Sequence, residues 1–550
     1  MAAAAPTPTT ISPETPSLAA LLPETLAKPL SEGTAAQPEA AGPKKQPVVL
    51  DVRDLKTYFY TYDGVVKALD GVSFKIRRGE TVGMVGETGC GKSVTAFSVT
   101  RLIADPPGRI VGGAVLYRGA NVLRGLEHEA KFKPMKGSNR VKVRRSFRRI
   151  KASQERMVAV RGGGIGMIFQ EPTSAMNPIF SVSNQLSETL LLHRGDEIMD
   201  TLLQATPNAP ERRAAFEELA DAVRSGQPTD NVRAAAKKVG DVLHCPSMAT
   251  QSFYTAREAI AAGRDPLPLL ERAVRRLRLS RLARSYLLQQ RRLIALQKEL
   301  NASYMQEMRD GTFDHSQRRS IRRRRVATRY RGGWLSIRGI RGRARKPLNE
   351  ETFWRSVTLL EGIAIANPVQ VARSYPHELS GGMIQRVMIA MALSANPDIL
   401  LADEPTTALD VTIQAQILEL MRDLKERVGT ATLFITHDLA VIAEVAERVC
   451  VMYAGHVVET AAVRDLFRQP LHPYSQGLLA SIPRVDQPEK QLSSIKGSVP
   501  NLITPPPGCR FHPRCAYAMP ICREQRPPTT VEGTDHTVAC FLYKGPVAVE

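Results

Sequence analysis

Eight consecutive residues carry the most specific chemistry in the chain: Gly86-Glu87-Thr88-Gly89-Cys90-Gly91-Lys92-Ser93. They follow an apolar run, Val82–Val85, that reads as a buried strand, and they precede a helical stretch from Val94 to about Ile103. This is G-x-x-x-x-G-K-[ST] between a strand and a helix, the context its mechanism requires. The glycines let successive backbone N–H groups turn inward around phosphate oxygens, and the helix N-terminus adds the positive end of its dipole. Lys92 is expected to reach the β- and γ-phosphates of a nucleoside triphosphate, and Ser93 to ligate Mg²⁺.

A second apolar run, Ile399–Ala402, ends in Asp403-Glu404. A buried parallel strand would deliver both acids to its carboxyl end, where open α/β sheets bind ligands. Asp403 is placed to hold Mg²⁺, and Glu404 to polarise the attacking water as general base. Alone, such a run is weak; downstream of a phosphate loop it completes a hydrolytic pair. His437, in Thr436-His437-Asp438 after the apolar Leu433–Ile435, is expected at the same edge.

Between and after these motifs lie Leu379-Ser380-Gly381-Gly382-Met383 and Thr407-Ala408-Leu409-Asp410. The order resembles the ABC ATPase family, and in detail its oligopeptide/dipeptide importer branch. The stretches Gly164–Pro178, Tyr375–Leu393, Ala402–Asp410 and His472-Pro473-Tyr474 carry the likeness, with the cysteine-bearing tail. It spans roughly Val48–Ile103, Arg161–His193 and Trp354–Tyr543. It implies an α/β fold: a RecA-like parallel-sheet core with an antiparallel β subdomain and an α-helical subdomain. It also carries roles. Gln170 matches the glutamine that senses Mg²⁺ and γ-phosphate and links the site to the membrane domain. Ser380, Gly381 and Gly382 match the signature that closes over ATP bound by a second ATPase subunit, Asp410 the loop coupling the two sites, and His437 the switch histidine at the γ-phosphate. Phe59 fits best the aromatic that stacks on adenine, with Tyr58 and Tyr60 as neighbours. Each motif occurs once, so the chain supplies half of a two-site sandwich. The implied assembly adds two permease subunits and an extracytoplasmic solute-binding protein, at the cytoplasmic face of the cell membrane. The competing function class is a soluble ABC ATPase acting on nucleic acid or ribosomes, though such proteins usually carry two motif sets.

The remaining sequence must position or decorate this machinery. At 550 residues and 43% hydrophobic composition the chain exceeds one domain. It lacks a run of 18 apolar residues. Residues 1–47 are rich in Ala, Pro, Thr and Glu and read as a disordered arm rather than a secretory signal. The ATPase domain is then expected in two parts, 48–193 and 351–468. Two stretches have no counterpart in the family pattern: about 126–156, and a largely helical block at 194–350. In the latter, Leu270, Val274, Leu277, Leu282, Leu287, Ile294 and Leu300 recur near helical spacing across Leu267–Leu300. Arginine runs follow, from Arg318 to Arg345. These two stretches account for most of the +21 net charge, and they either lie solvated or meet an acidic partner, with anionic lipid favoured over nucleic acid.

Residues 469–550 form a loop-rich extension with Cys509, Cys515, Cys522 and Cys540 at gaps of five, six and seventeen residues. Four soft thiols in a short segment point to a metal site. The gaps are wider than zinc knuckles, which favours a [4Fe–4S] cluster over Zn²⁺; disulfides and free thiols are the other readings. His512 and His536 are alternative ligands. Cys90, Cys245 and Cys450 read as ordinary thiols.

Overall fold

A computed structural model describes residues 46–134, 141–311, 314–331, 338–406, 411–481, 495–533 and 535–543. The expected N-terminal arm lies almost wholly outside them.

Two sheets organise the parts of the chain outside the long insertions. An antiparallel sheet has the order β2-β1-β4-β5, with β1 (Val48–Tyr60), β2 (Val65–Arg77), β4 (Gly108–Tyr117) and β5 (Ala120–Asn121). The larger sheet has the order β13-β14-β12-β11-β3-β10-β9-β8. Its parallel part comprises β11 (Arg448–Tyr453), β3 (Thr81–Val85), β10 (Ala431–Ile435), β9 (Ile399–Asp403) and β8 (Ile165–Ile168). Each residue of β3, β9 and β10 is buried, as expected of strands covered on both faces. Alternation along them feeds two cores: Val82, Met84, Leu401 and Leu433 on one face, Val85, Leu400, Ala402 and Phe434 on the other.

The antiparallel edge adds β12 (His456–Ala462), β13 (Thr530–Val531) and β14 (Thr537–Val538), so the C-terminal extension completes the main sheet. Helix α1 (Lys92–Val99) follows β3. The first insertion contains a hairpin of β6 (Ala130–Pro134) and β7 (Val141–Arg145), then α2 (Phe147–Met157). Helices α3 (Pro172–Ala175) and α4 (Val182–Gln204) follow β8.

The second insertion is a folded helical unit: α5 (Arg212–Arg224), α6 (Thr229–Val242), α7 (Ser247–Ala261), α8 (Leu267–Arg275), α9 (Arg281–Asp310), α10 (His315–Arg331) and α11 (Arg338–Gly362). Phe216, Leu219, Val239, Phe253, Leu270, Val274 and Leu287 form its own core. The helical spacing over Leu267–Leu300 is real but interrupted: Ser280 caps α9, its Oγ accepting the Ala283 N–H at 3.1 Å. Leu270 and Leu287 therefore reach one core from two helices. Arg355 on α11 closes the unit by pairing with Glu197 of α4 at 2.8 Å and Glu351 at 2.7 Å.

The two insertions pack on each other. Tyr304 donates to Glu155 at 3.1 Å, Arg322 pairs with the same carboxylate at 2.6 Å, and Glu307 binds Arg156 at 3.2 Å and Arg318 at 2.7 Å. Met308 of α9 enters the core beneath the antiparallel sheet.

The chain after the second insertion contains α12 (Pro368–Arg373), α13 (Gly381–Leu393), α14 (Val411–Val428), α15 (Leu439–Val445) and α16 (Val463–Arg468). The extension adds α17 (Pro473–Ala480) and α18 (Pro520–Glu524). Among the described residues, no helix is long and apolar enough to cross a membrane.

Candidate active site

Four neighbouring strands, β3-β10-β9-β8, end at one edge of the sheet, and each is followed by a motif singled out in the sequence. In-register parallel pairing sets Met84, Ile435 and Asp403 side by side, and Ile168 beside Ala402. The loop after β3 is built on glycines that no other residue could replace cheaply. Gly86 has φ +155°, and a Cβ there would lie 2.2 Å from the Met452 carbonyl oxygen; Gly91, at φ +106°, caps α1 and lies against Ala68 O and Leu69. Lys92 is buried, its Nζ donating to the carbonyls of Gly86 at 2.7 Å and Glu87 at 3.2 Å. Its ammonium thus lies within the loop that the motif predicts to hold phosphates. The Cys90 thiol is fully buried, and desolvation raises its pKa, in keeping with an ordinary packed cysteine.

Ser93 Oγ donates to Asp403 Oδ1 at 3.0 Å, joining the phosphate loop to the end of β9. Asp403 is inaccessible to solvent, and its Oδ2 is buried with no hydrogen-bond partner. Burial pushes its carboxyl up to about 6, with Glu404 adding to the rise and the Ser93 hydroxyl opposing it. A buried acid with one free oxygen, next to a serine hydroxyl, is a donor set suited to a hard divalent cation.

Gln170, Glu404 and His437 come together. Gln170 Nε2 donates to Glu404 Oε2 at 2.9 Å, and His437 Nδ1 lies 3.2 Å from Glu404 Oε1. Glu404 adopts φ +47°, a left-handed backbone that costs a non-glycine residue, and its N–H donates to Ile435 O at 2.9 Å. The turn swings the carboxylate out of the strand line towards the residues following β8 and β10.

The family profile described as "ABC transporter" matches residues 69–241 and 279–407, and that of the "Oligopeptide/dipeptide transporter, C-terminal region" matches 458–522. This chain belongs to the ABC transporter ATP-binding protein family. The oligopeptide transport ATP-binding protein AppD of Bacillus subtilis (strain 168) is 32% identical over 496 residues, covering 90% of this chain and 97% of its own. The probable peptide ABC transporter ATP-binding protein y4tR of Sinorhizobium fredii is 33% identical over 498 residues, covering 90% and 96%. The oligopeptide transport ATP-binding protein OppD of Bacillus subtilis (strain 168) is 32% identical over 495 residues, covering 90% and 88%.

In this ABC ATPase, Ser380 caps α13, accepting the Met383 N–H at 3.4 Å, and Gly381 has open space around it. Among the described residues, no hydrogen bond or ion pair links Ser380–Gly382 to Gly86–Ser93. Gln385 on the same helix donates to Pro405 O at 2.6 Å, coupling α13 to the turn after Glu404. Asp410 lies outside the described residues. Phe59 shares a face of β1 with Thr57, whose hydroxyl hydrogen-bonds Ser98 of α1 at 2.8 Å. Tyr58 points the other way, donating to Asp70 at 2.8 Å, which leaves Phe59 on the α1 side.

The four tail cysteines come together in the extension. Cys509, Cys515, Cys522 and Cys540 line one small cavity with Phe511 and His512, and all four are free thiols. Burial pushes Cys540 up to about 11, with the other three thiols adding to it. Yet among the described residues no group of three or more His, Cys, Asp or Glu is arranged to hold a metal ion. His536 is committed elsewhere, 2.8 Å from Glu459.

Sequence reasoning missed the residues through which the extension grips the phosphate loop. The Glu87 N–H donates to the Tyr474 hydroxyl at 2.9 Å, and Arg514 forks the Glu87 carboxylate at 2.7 and 3.0 Å. His472-Pro473-Tyr474 carried a resemblance, but no motif ties Arg514 to a loop more than 400 positions away.

Proposed function

We propose that this chain is the ATP-hydrolysing subunit of a peptide importer of the oligopeptide/dipeptide class. It works as one half of an ATPase dimer seated on two permease subunits that a solute-binding protein supplies. The observation that carries this is the joint presence of the Gln170–Glu404–His437 cluster beside the phosphate loop and, in the same chain, the oligopeptide/dipeptide C-terminal region at 458–522. That region also weighs against a soluble ATPase acting on nucleic acid or ribosomes.

The chemistry follows from placement. Loop amides from Gly86 to Ser93 and the Lys92 ammonium hold the triphosphate of ATP, and Phe59 lies against adenine. Ser93 and Asp403, with Gln170, would hold Mg²⁺, which supplies charge neutralisation at the phosphates. Glu404 takes the proton of the attacking water and aims it; Gln170 and His437 fix that carboxylate and the γ-phosphate end. The exposed N-terminus of α13, Ser380–Gly382, caps the triphosphate bound by a second, related subunit, and Asp410 relays between the two sites. Positioning and charge, rather than covalent catalysis, carry the rate.

The four tail thiols would hold a metal, an iron–sulfur cluster before Zn²⁺, that ties together a segment with little core of its own. We take the domain divisions as 1–47, 48–193, 194–350, 351–468 and 469–550, with the basic insertions meeting anionic lipid headgroups at the cytoplasmic membrane face. The test is anaerobic purification of tagged Glu404→Gln from its native host. The expected result is ATP binding retained, hydrolysis reduced about 10²–10⁴-fold, an ATP-stabilised complex with permeases, and visible iron–sulfur absorbance. Unchanged hydrolysis would overturn the base assignment. A colourless, zinc-loaded sample would overturn the cluster.

A further inference from the structure

Glu87 is an anomaly in the loop it occupies. That loop accepts a polyanion, and an unpaired carboxylate there would repel it. The structure deals with this from outside the ATPase part. Arg514 stands on a single turn, His512–Arg514, between Cys509 and Cys515. Its guanidinium holds both Glu87 oxygens. The other donors are all used: Nε on Lys496 O at 2.9 Å, one terminal nitrogen on Tyr453 Oη at 3.3 Å, the other on Ile495 O and Gly497 O at 3.2 Å each. The cation also lies 5.7 Å from the Tyr453 ring centroid. Arg514 retains 6% of its side-chain exposure and Glu87 29%, so the arginine is locked and the carboxylate is pulled against it. Tyr474, also from the extension, fixes the Glu87 backbone.

We propose that Arg514 is a positioning residue of the ATP site: it neutralises Glu87 and holds the phosphate loop open to a triphosphate, which makes the C-terminal extension part of the nucleotide site. This rests on the reading that Gly86–Ser93 binds ATP.

The test measures MgATP affinity and steady-state hydrolysis for wild type, Arg514→Gln, Arg514→Lys, Glu87→Gln and the double variant Arg514→Gln/Glu87→Gln, with melting curves and iron and zinc content for each. Arg514→Gln is expected to weaken MgATP about tenfold or more. KM should rise while kcat stays within about threefold, and the loss should shrink as salt is raised, because Glu87 is partly exposed. Arg514→Lys recovers part of the loss. Adding Glu87→Gln to Arg514→Gln restores affinity to within about threefold of wild type, because the repelling charge is gone. A double variant as weak as Arg514→Gln alone overturns the proposal. So does normal MgATP affinity in Arg514→Gln. Should Arg514→Gln fail to fold, Glu87→Gln decides: it is expected to bind MgATP at least as tightly as wild type, and a loss of fivefold or more overturns the charge argument. If wild type itself bound no MgATP, the assignment of the loop would fail instead.

Discussion

Asp403 is a carboxylate that the fold keeps from ionising easily. Its pKa of about 6 lies above the ordinary carboxylate range, chiefly because burial penalises the charge. The sign follows. With a raised folded-state pKa, the favourable neutral form is present at low pH and is lost as pH rises from the usual carboxylate range through about 6. Above that point the unpaired charge costs stability unless a cation offsets it. Below it, a proton competes with Mg²⁺. Hydrolysis is therefore expected to fall at acid pH, with a midpoint that Mg²⁺ moves below about 6, and Mg²⁺ should raise the melting temperature more at pH 7.5 than at pH 5.5. Asp403→Asn should melt several degrees higher than wild type without Mg²⁺, lose the Mg²⁺ response and lose hydrolysis at least about a hundredfold. A variant that Mg²⁺ stabilises as well as wild type would remove Asp403 from the cation site. At this scale the sequence was most legible: the loop glycines, Lys92, Ser93, Asp403 and Glu404 are contiguous patterns whose mechanism dictates the spacing. Arg514 and Tyr474 were not, because their contacts arise only after the chain folds back upon itself.

Among the elements, the joint between α4 and α11 decides whether the second insertion stands as a unit. Arg355 is buried between Glu197 and Glu351 and also donates to Thr201 at 3.0 Å. Burial alone would raise the Glu197 pKa, but Arg194 and Arg355 bring it below the ordinary value. Removing a buried partner strands the charges left behind, a loss of about 3–5 kcal/mol. Arg355→Met is expected to lower stability by that amount in urea unfolding; a change below about 1 kcal/mol would show the acids relaxing into solvent. Helical periodicity announced this block and the residues Leu270, Val274 and Leu287 that face its core. It could not announce the break at Ser280, since the apolar spacing resumes in phase with the same core after the turn. Nor could local pattern reveal that α2 docks on α9, a contact made across some 150 positions of sequence.

For the molecule as a whole, the charge excess is gathered rather than spread. Helix α10 holds eight arginines in seventeen residues without an acid. Arg318, Arg322 and Arg324 are paired with glutamates of α9 and α2. Arg319, Arg323 and Arg329 are exposed, and with Arg325 they make no ion pair among the described residues. At about 1 kcal/mol per basic residue near an anionic surface, these four can sustain salt-sensitive adsorption. Vesicles containing phosphatidylglycerol are expected to bind the protein, and neutral phosphatidylcholine vesicles not to. Replacing the four by glutamine should weaken binding roughly a hundredfold or more. Equal binding to both vesicles would exclude the lipid reading, and tighter capture of RNA would favour the nucleic-acid one.

The pairing of Glu307 with Arg156 on one side and Arg318 on the other makes the two insertions depend on each other. The segments around 126–156 and 194–350 interrupt the ATPase part at separate places, yet each pairs charges of the other. Losing the first alone would take Glu155 from Tyr304 and Arg322, and Arg156 from Glu307. Losing the second alone would leave Arg156 and Glu155 without Glu307 and Arg322. Deleting both stretches is expected to strand fewer charges at this joint than deleting either one alone.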